Sequence, residues 1–469
     1  MNATRVALHA WIAALLVLCS VGTRAPAETR TEVPSSELTP VLTPAPGQTR
    51  VHVAAFRLDP RPVTNSQFLQ FVRDQPQWRR DRVARLVADE GYLSHWEAAD
   101  ALGPNVEPNQ PVTRVSWFAA RAYCAAAGGR LPDWNEWESA SAANETVADA
   151  RANPAWRAQI LDWYARPATD ALLPVGQRRP NLYGIYDLHG LIWEWVDDYA
   201  SLMVSNDSRN QGDPDKLEFC GAGSISAQDR ENYPVLMRIA FLSALEGRSS
   251  ARRLGFRCAD PKRDPVWRAS AAPPSPPAAA QLTTAGTAVN LPGDSIYQIP
   301  IELETDTGSR VAFSSFKGMP LLITLFYADC TSVCPMLTQQ LQKIDHRLRA
   351  GARANTRILM ISLDTEHDTP AVLSDFRLRH HIGDARWTVA RTSPDNVRLL
   401  AAVLGVRYRK LPDQSFNHST TIALADRDGV IQAKIAGVLA DDTALVAAAN
   451  SMLTARAASR QDGGARQHR

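Results

Sequence analysis

At 469 residues the chain exceeds one ordinary domain, so two or three are expected. Hydrophobic residues make up 45% of it and the formal net charge is +2. Those values fit a globular protein with a core and exclude a strongly basic nucleic-acid-binding face or an acidic tail, so no nucleic-acid partner is expected.

Residues 1–27 read as a secretory signal, with Arg5 in the charged region, a short apolar run from Ala10 to Leu18, and Ala25-Pro26-Ala27 as an A-x-A cleavage site. The apolar run is too short for a good membrane span; left uncleaved, it would act as an N-terminal membrane anchor. Cys19 follows Leu18, where a lipoprotein signal wants a small residue, which argues against lipidation. The mature protein is expected in a periplasm, where disulfides persist.

Residues 28–49, rich in Pro, Thr, Ser and Glu without periodicity, read as a flexible tether. The first domain spans 50–260 and is rich in Trp and Tyr, with helices expected around Asn65 to Asp74 and Trp117 to Ala127 and then an irregular aromatic region. Residues 261–289 contain AAPPSPPAAA, a Pro/Ala linker that cannot pack a core. The second domain, 290–458, alternates strand and helix. Strands are expected over 321–327, 357–363 and 386–391, and helices over 335–350, 370–381 and 394–404, the last closed by Gly405. A hairpin around Asp428-Gly429 joins 420–425 to 430–435, a helix follows over 441–455, and 459–469 is expected to be disordered. This order gives a mixed sheet covered by helices.

Setting Cys19 aside leaves five cysteines: the local pair Cys330 and Cys334, and the scattered Cys124, Cys220 and Cys258, of which one is left over. The pair lies where a strand meets a helix, at the carboxyl end of a strand, where open α/β sheets place their sites. A helix N-terminus favours the thiolate, and on one helical turn the two thiols would sit roughly 6 Å apart. Two soft sulfurs suit Cu(I) or Zn(II) and exclude Mg or Ca. The alternative is a structural disulfide between Cys330 and Cys334, whose small loop would constrain the unfolded chain little.

From about 290 to 456 the chain resembles the Sco/SenC family of copper-binding thioredoxin-like proteins. The matching words are CTSVCP (Cys330 to Pro335), ISLDTEHDTP (Ile361 to Pro370) and FNHST around His418. The resemblance implies an α/β thioredoxin-like fold and a copper site, for Cu(I) or Cu(II), made by Cys330, Cys334 and His418. It also implies a role in maturing a client copper enzyme, typically the binuclear centre of cytochrome oxidase. Asp364 matches the family's aspartate near the site, with a turn-capping role as the alternative. His346, His367, His380 and His381 read as helix-surface or loop residues.

Residues 51 to 260 resemble the formylglycine-generating-enzyme superfamily, an α+β C-type-lectin-like fold. The words are PVTNSQFLQF (Pro62 to Phe71), PVTRVSWFAARAYCAAAGGRLPDWNEWESA (Pro111 to Ala140), YGIYDLHGLIWEWVDD (Tyr183 to Asp198) and LGFRCA (Leu254 to Ala259). The resemblance implies a Cys124–Cys258 disulfide. Catalytic members carry two oxidising cysteines after a Gly-Gly-Ser-like turn, whereas Gly221 to Pro234 contains none and Cys220 stands alone before it. Calcium is also argued against, because Gly190-Leu191-Ile192-Trp193-Glu194-Trp195 has lost one amide ligand. Glu136, Glu138 and Glu194 receive no catalytic role, and Asp197 and Asp198 read as solvated or hydrogen-bonded. The leading expectation is thus a copper metallochaperone with a lectin-like docking domain; some relatives of that fold accompany copper nitrite reductases. The alternatives are a thiol-disulfide oxidoreductase and an oxygen-dependent enzyme using the N-terminal domain.

Overall fold

The structure is a computed structural model that describes residues 29–41, 50–165, 171–202, 233–261, 291–330, 333–411 and 413–452. The signal, the linker from residue 262, the tail and Cys220 lie outside the described residues.

The N-terminal domain opens with four short strands: β1 (Thr31–Val33), β2 (Ser36–Leu38), β3 (Val51–Val53) and β4 (Phe56–Leu58). β1 pairs antiparallel with β4, and β2 with β3. Residues 31–38, expected within a flexible tether, are therefore built into the domain. Each three-residue strand ends in a side chain the core takes up, Val33 and Leu38, and Arg30 fastens the start by ion pairs to Asp59 at 3.0 Å and Asp260 at 2.9 Å.

The helices are short and capped. α1 (Asn65–Asp74) begins at a reciprocal capping box of Thr64 and Gln67, and α2 (Trp117–Ala126) starts at Ser116, whose hydroxyl accepts from Ala119 N–H. α3 (Trp134–Ala142) has a second capping box, Asp133 with Glu136. α4 (Pro154–Ala165), β5 (Trp193–Glu194), α5 (Tyr233–Ser243) and β6 (Leu254–Gly255) complete the domain, with β5 and β6 parallel. Two-residue and three-residue strands around an aromatic core give the α+β lectin-like architecture. Cys124 of α2 and Cys258 after β6 are joined, S–S 2.01 Å, at a sequence separation of 134.

The C-terminal domain starts with β7 (Glu302–Thr305) and β8 (Arg310–Ala312), then β9 (Leu321–Phe326), α6 (Val333–Arg347) and α7 (Ala350–Asn355). Next come β10 (Arg357–Ser362), α8 (Pro370–Arg379), β11 (Trp387–Arg391) and α9 (Pro394–Leu404). They are followed by β12 (Tyr408–Lys410), β13 (Phe416–His418), β14 (Thr421–Ala425), β15 (Ile431–Ala436) and α10, described over 443–452. Seven strands form one sheet in the order β15-β14-β9-β10-β11-β7-β8. β9, β10 and β11 run parallel, while β14 and β7 flank them antiparallel. Every residue of β9 is buried, as a central strand covered on both faces requires. This is the expected mixed, thioredoxin-like sheet. β12 and β13 stand outside it as a separate two-stranded ribbon.

Candidate metal centre

Three elements deliver the three residues. β9 ends at Phe326 and the chain turns through Tyr327 to Asp329, so Cys330 lies at the carboxyl edge of the central strand. α6 begins three residues later and carries Cys334 in its first turn. The Cys334 backbone N–H donates to the Cys330 sulfur at 3.3 Å, which uses one of the helix's orphan donors. His418 closes β13, and its Nε2 lies 3.8 Å from Cys334 Sγ. The two sulfurs and one imidazole nitrogen all fall within 4.8 Å of one another, and all three residues are buried. They are the one such His/Cys/Asp/Glu group among the described residues. Neither thiol is in a disulfide.

The imidazole is oriented from behind. Its Nδ1 lies 3.2 Å from the Ser419 carbonyl, and the tautomer that donates there turns the Nε2 lone pair toward the sulfurs. Tyr327 stands edge-on to the ring at 5.8 Å between centroids. The helix N-terminus suggests an easily formed thiolate, but burial, followed by the neighbouring Cys330, pushes the Cys334 thiol well above the ordinary range. Desolvation of the charged form outweighs the dipole. A soft cation would reverse that balance by replacing the lost hydration with ligation, and its binding would release protons.

The residues around the site divide clearly. Asp364 is a turn cap: its Oδ1 accepts from the N–H groups of Glu366 at 3.2 Å and His367 at 3.0 Å, and its Oδ2 lies 2.9 Å from His367 Nδ1. Asp368, which sequence reasoning passed over, does more for the geometry. It accepts from Ala328 N–H at 2.9 Å and from the Ser362 hydroxyl, tying the turn before Cys330 to the end of β10. Burial raises its carboxyl above the usual range. The sequence DTEHDTP offers two aspartates and no local signal for which one reaches back. His346, His367 and His381 are exposed and His380 is half-buried, none of them in the cluster.

The carboxylates of the N-terminal domain are engaged with arginines, tryptophans and backbone. Glu194 takes Arg257 with both oxygens at 2.8 Å and also accepts from Trp137 Nε1 at 2.8 Å. Glu136 is held bidentate by Arg130 at 2.6 Å. Glu138, pushed up to about 7 by burial, pairs with Arg151 at 3.0 Å. Asp198 accepts from Trp134 N–H at 2.8 Å, while Asp197 pairs with Arg121 at 2.9 Å and Arg398 at 3.2 Å. The stretch from Gly221 lies outside the described residues as far as residue 232.

Comparison with known proteins follows the same division. Residues 17–262 match the sulfatase-modifying factor enzyme 1-like domain, and residues 291–454 match SCO1/SenC. A formylglycine-generating enzyme of Streptomyces coelicolor is 31% identical over 262 residues, covering 46% of this chain and 82% of that one. A hercynine oxygenase of Mycobacterium tuberculosis is 31% identical over 165 residues, covering 31% of this chain and 38% of that one. Among solved structures, Bradyrhizobium japonicum ScoI with copper bound is 24% identical with a TM-score of 0.29, covering 33% of this chain and 97% of that one.

Proposed function

Because the chain belongs to the sulfatase-modifying factor enzyme 1-like family through its N-terminal part and carries a SCO1/SenC domain after it, we propose that it is a periplasmic copper metallochaperone that matures a copper enzyme. Copper is the cargo, and Cys330, Cys334 and His418 hold it. The observation that carries this reading is the meeting of two sulfurs and one imidazole nitrogen within 4.8 Å in a buried pocket. Thiolates select Cu(I), imidazole also suits Cu(II), and neither donor type serves Mg or Ca. Three protein ligands leave a coordination position for a ligand of the client, which favours transfer over storage. The client is a copper enzyme, with the binuclear centre of cytochrome oxidase or a denitrification enzyme as the two candidates.

The N-terminal domain presents a surface for that client in this reading and performs no oxidation. Its sequence lacks the paired cysteines after residue 220, and its buried acids are bound to arginines, tryptophans and backbone amides. Among the described residues no helix is long and apolar enough to cross a membrane.

Copper titration tests the reading. The protein should bind about one copper with a thiolate charge-transfer band, and Cys330→Ala with Cys334→Ala should abolish both. Binding that survives the double substitution would sink the proposal. A second reading is favoured by the closeness of two thiols that are not cross-linked: they would reduce a client's disulfide while forming their own. His418→Ala separates the two, because exchange needs the thiolates and not the imidazole.

A further inference from the structure

The strand paired with the His418 strand is seated on the N-terminal domain. β12 opposes β13 with Tyr408 directly across from His418, and it lies against Tyr199–Ser201 of the other domain. Two strands of three residues do not hold themselves in place in water, and this ribbon has no partner in the seven-stranded sheet. Its position comes from what it leans on: its own domain, through Lys410 to Glu366 at 2.6 Å and Phe416 against Tyr327, and the N-terminal domain.

Four charges surround Tyr408, two from each domain. Arg121 meets Asp197 at 2.9 Å, Asp197 meets Arg398 at 3.2 Å, Arg398 meets Asp395 at 3.1 Å, and Asp395 returns to Arg121 at 3.1 Å. The ring alternates in sign, so each charge has two opposite neighbours, and it closes across the domain boundary. Burial pushes the Tyr408 phenol up to about 12 in its midst. Burial works against the charge of Arg398, yet Asp197 heads the groups that hold it above its ordinary value.

A second tie runs closer to the ligand. The Arg407 guanidinium donates to the Ser243 carbonyl at the end of α5. The Arg407 N–H donates to the Ser419 hydroxyl at 2.9 Å, and its carbonyl accepts from Ser419 N–H at 2.7 Å. The Ser419 carbonyl in turn faces His418 Nδ1. A chain of hydrogen bonds thus leads from the N-terminal domain to the imidazole.

We propose that the N-terminal domain braces His418: the Arg121–Asp197–Arg398–Asp395 ring and the Arg407–Ser243 bond fix the β12–β13 ribbon and so set where the imidazole stands relative to the two thiols. Asp197, Arg398 and Arg407 are positioning residues that act through the ribbon. The inference rests on the copper reading of Cys330, Cys334 and His418.

The test uses the full chain loaded with Cu(II) and followed by electron paramagnetic resonance and thiolate absorption. Wild type should show imidazole nitrogen coupling together with the thiolate band. Asp197→Ala should keep the band, lose or weaken the nitrogen coupling, and bind copper about tenfold more weakly, the usual scale for losing a supporting contact behind a ligand. Asp197→Glu should restore both readouts, which a general loss of packing would not allow. A folded Asp197→Ala with unchanged coupling and affinity overturns the brace alone. Absence of nitrogen coupling in wild type overturns the copper reading and the brace with it. Should Asp197→Ala fail to fold, Arg407→Met decides the matter by hydrogen exchange: faster exchange at residues 416–419 supports the brace, and an unchanged rate overturns it.

Discussion

At the scale of single residues, burial decides what each charged group does. Glu194 is fully buried against a fully buried Arg257. Its role is to satisfy that guanidinium and the Trp137 indole. Glu194→Ala would leave Arg257 charged and unpaired in the core, so a loss of about 3–5 kcal/mol is expected, read as a shift in urea midpoint. Glu194→Gln keeps an acceptor and should lose less. A loss under about 1 kcal/mol for the alanine variant would mean that the pair does not hold the domain together. Cys334 follows the same logic in the other direction. Its place at a helix start suggests a thiolate, but its lack of hydration keeps the proton on until a cation arrives.

At the scale of elements, what was legible in the sequence was what carried its own punctuation. The helix from Pro394 to Leu404 has Ser393 as its cap, proline at its start and Gly405 in the left-handed region at its end, and both boundaries were readable. β9 and β10 were equally plain as buried β-prone runs. The missed elements carried weak local signals. β1 and β2 show one core residue each amid Thr, Ser, Glu and Pro, so composition suggested a tether. α3 has a D-x-x-E capping box, masked by a segment rich in tryptophan. β7, β8, β12 and β13 are too short for a period of two to stand out. The cross-link between α2 and the end of β6 came from resemblance and not from spacing. Its removal by Cys124→Ala with Cys258→Ala should cost roughly 4–5 kcal/mol on the chain-entropy view, given the 134-residue separation. Calorimetry of the full chain should show that loss in the transition of the N-terminal domain; a loss under about 1 kcal/mol would count against the entropic account.

At the scale of the whole molecule, the cluster of Cys330, Cys334 and His418 could be named from family words, but its support could not. Asp197 and Arg398 meet only because two separately folded units dock, and no periodicity links residues so far apart. If the ring couples the units, the coupling must run both ways, since linkage is reciprocal. Copper at about a thousandfold above its dissociation constant stabilises the state that binds it by about 4 kcal/mol. In wild type, copper should therefore raise the unfolding temperature of both domains. In Asp197→Ala it should raise only that of the C-terminal domain. Equal shifts in the two proteins would show that the ring carries no coupling.

The weaving of residues 31–38 into the first domain has a spatial consequence. Were the leader kept in a lipid bilayer, residues 19–30 would separate its apolar run from β1, a leash of about 40 Å at full extension. The protein would then sweep a bounded layer beside the bilayer surface. Only acceptors whose metal-receiving face lies within that layer would be within its range.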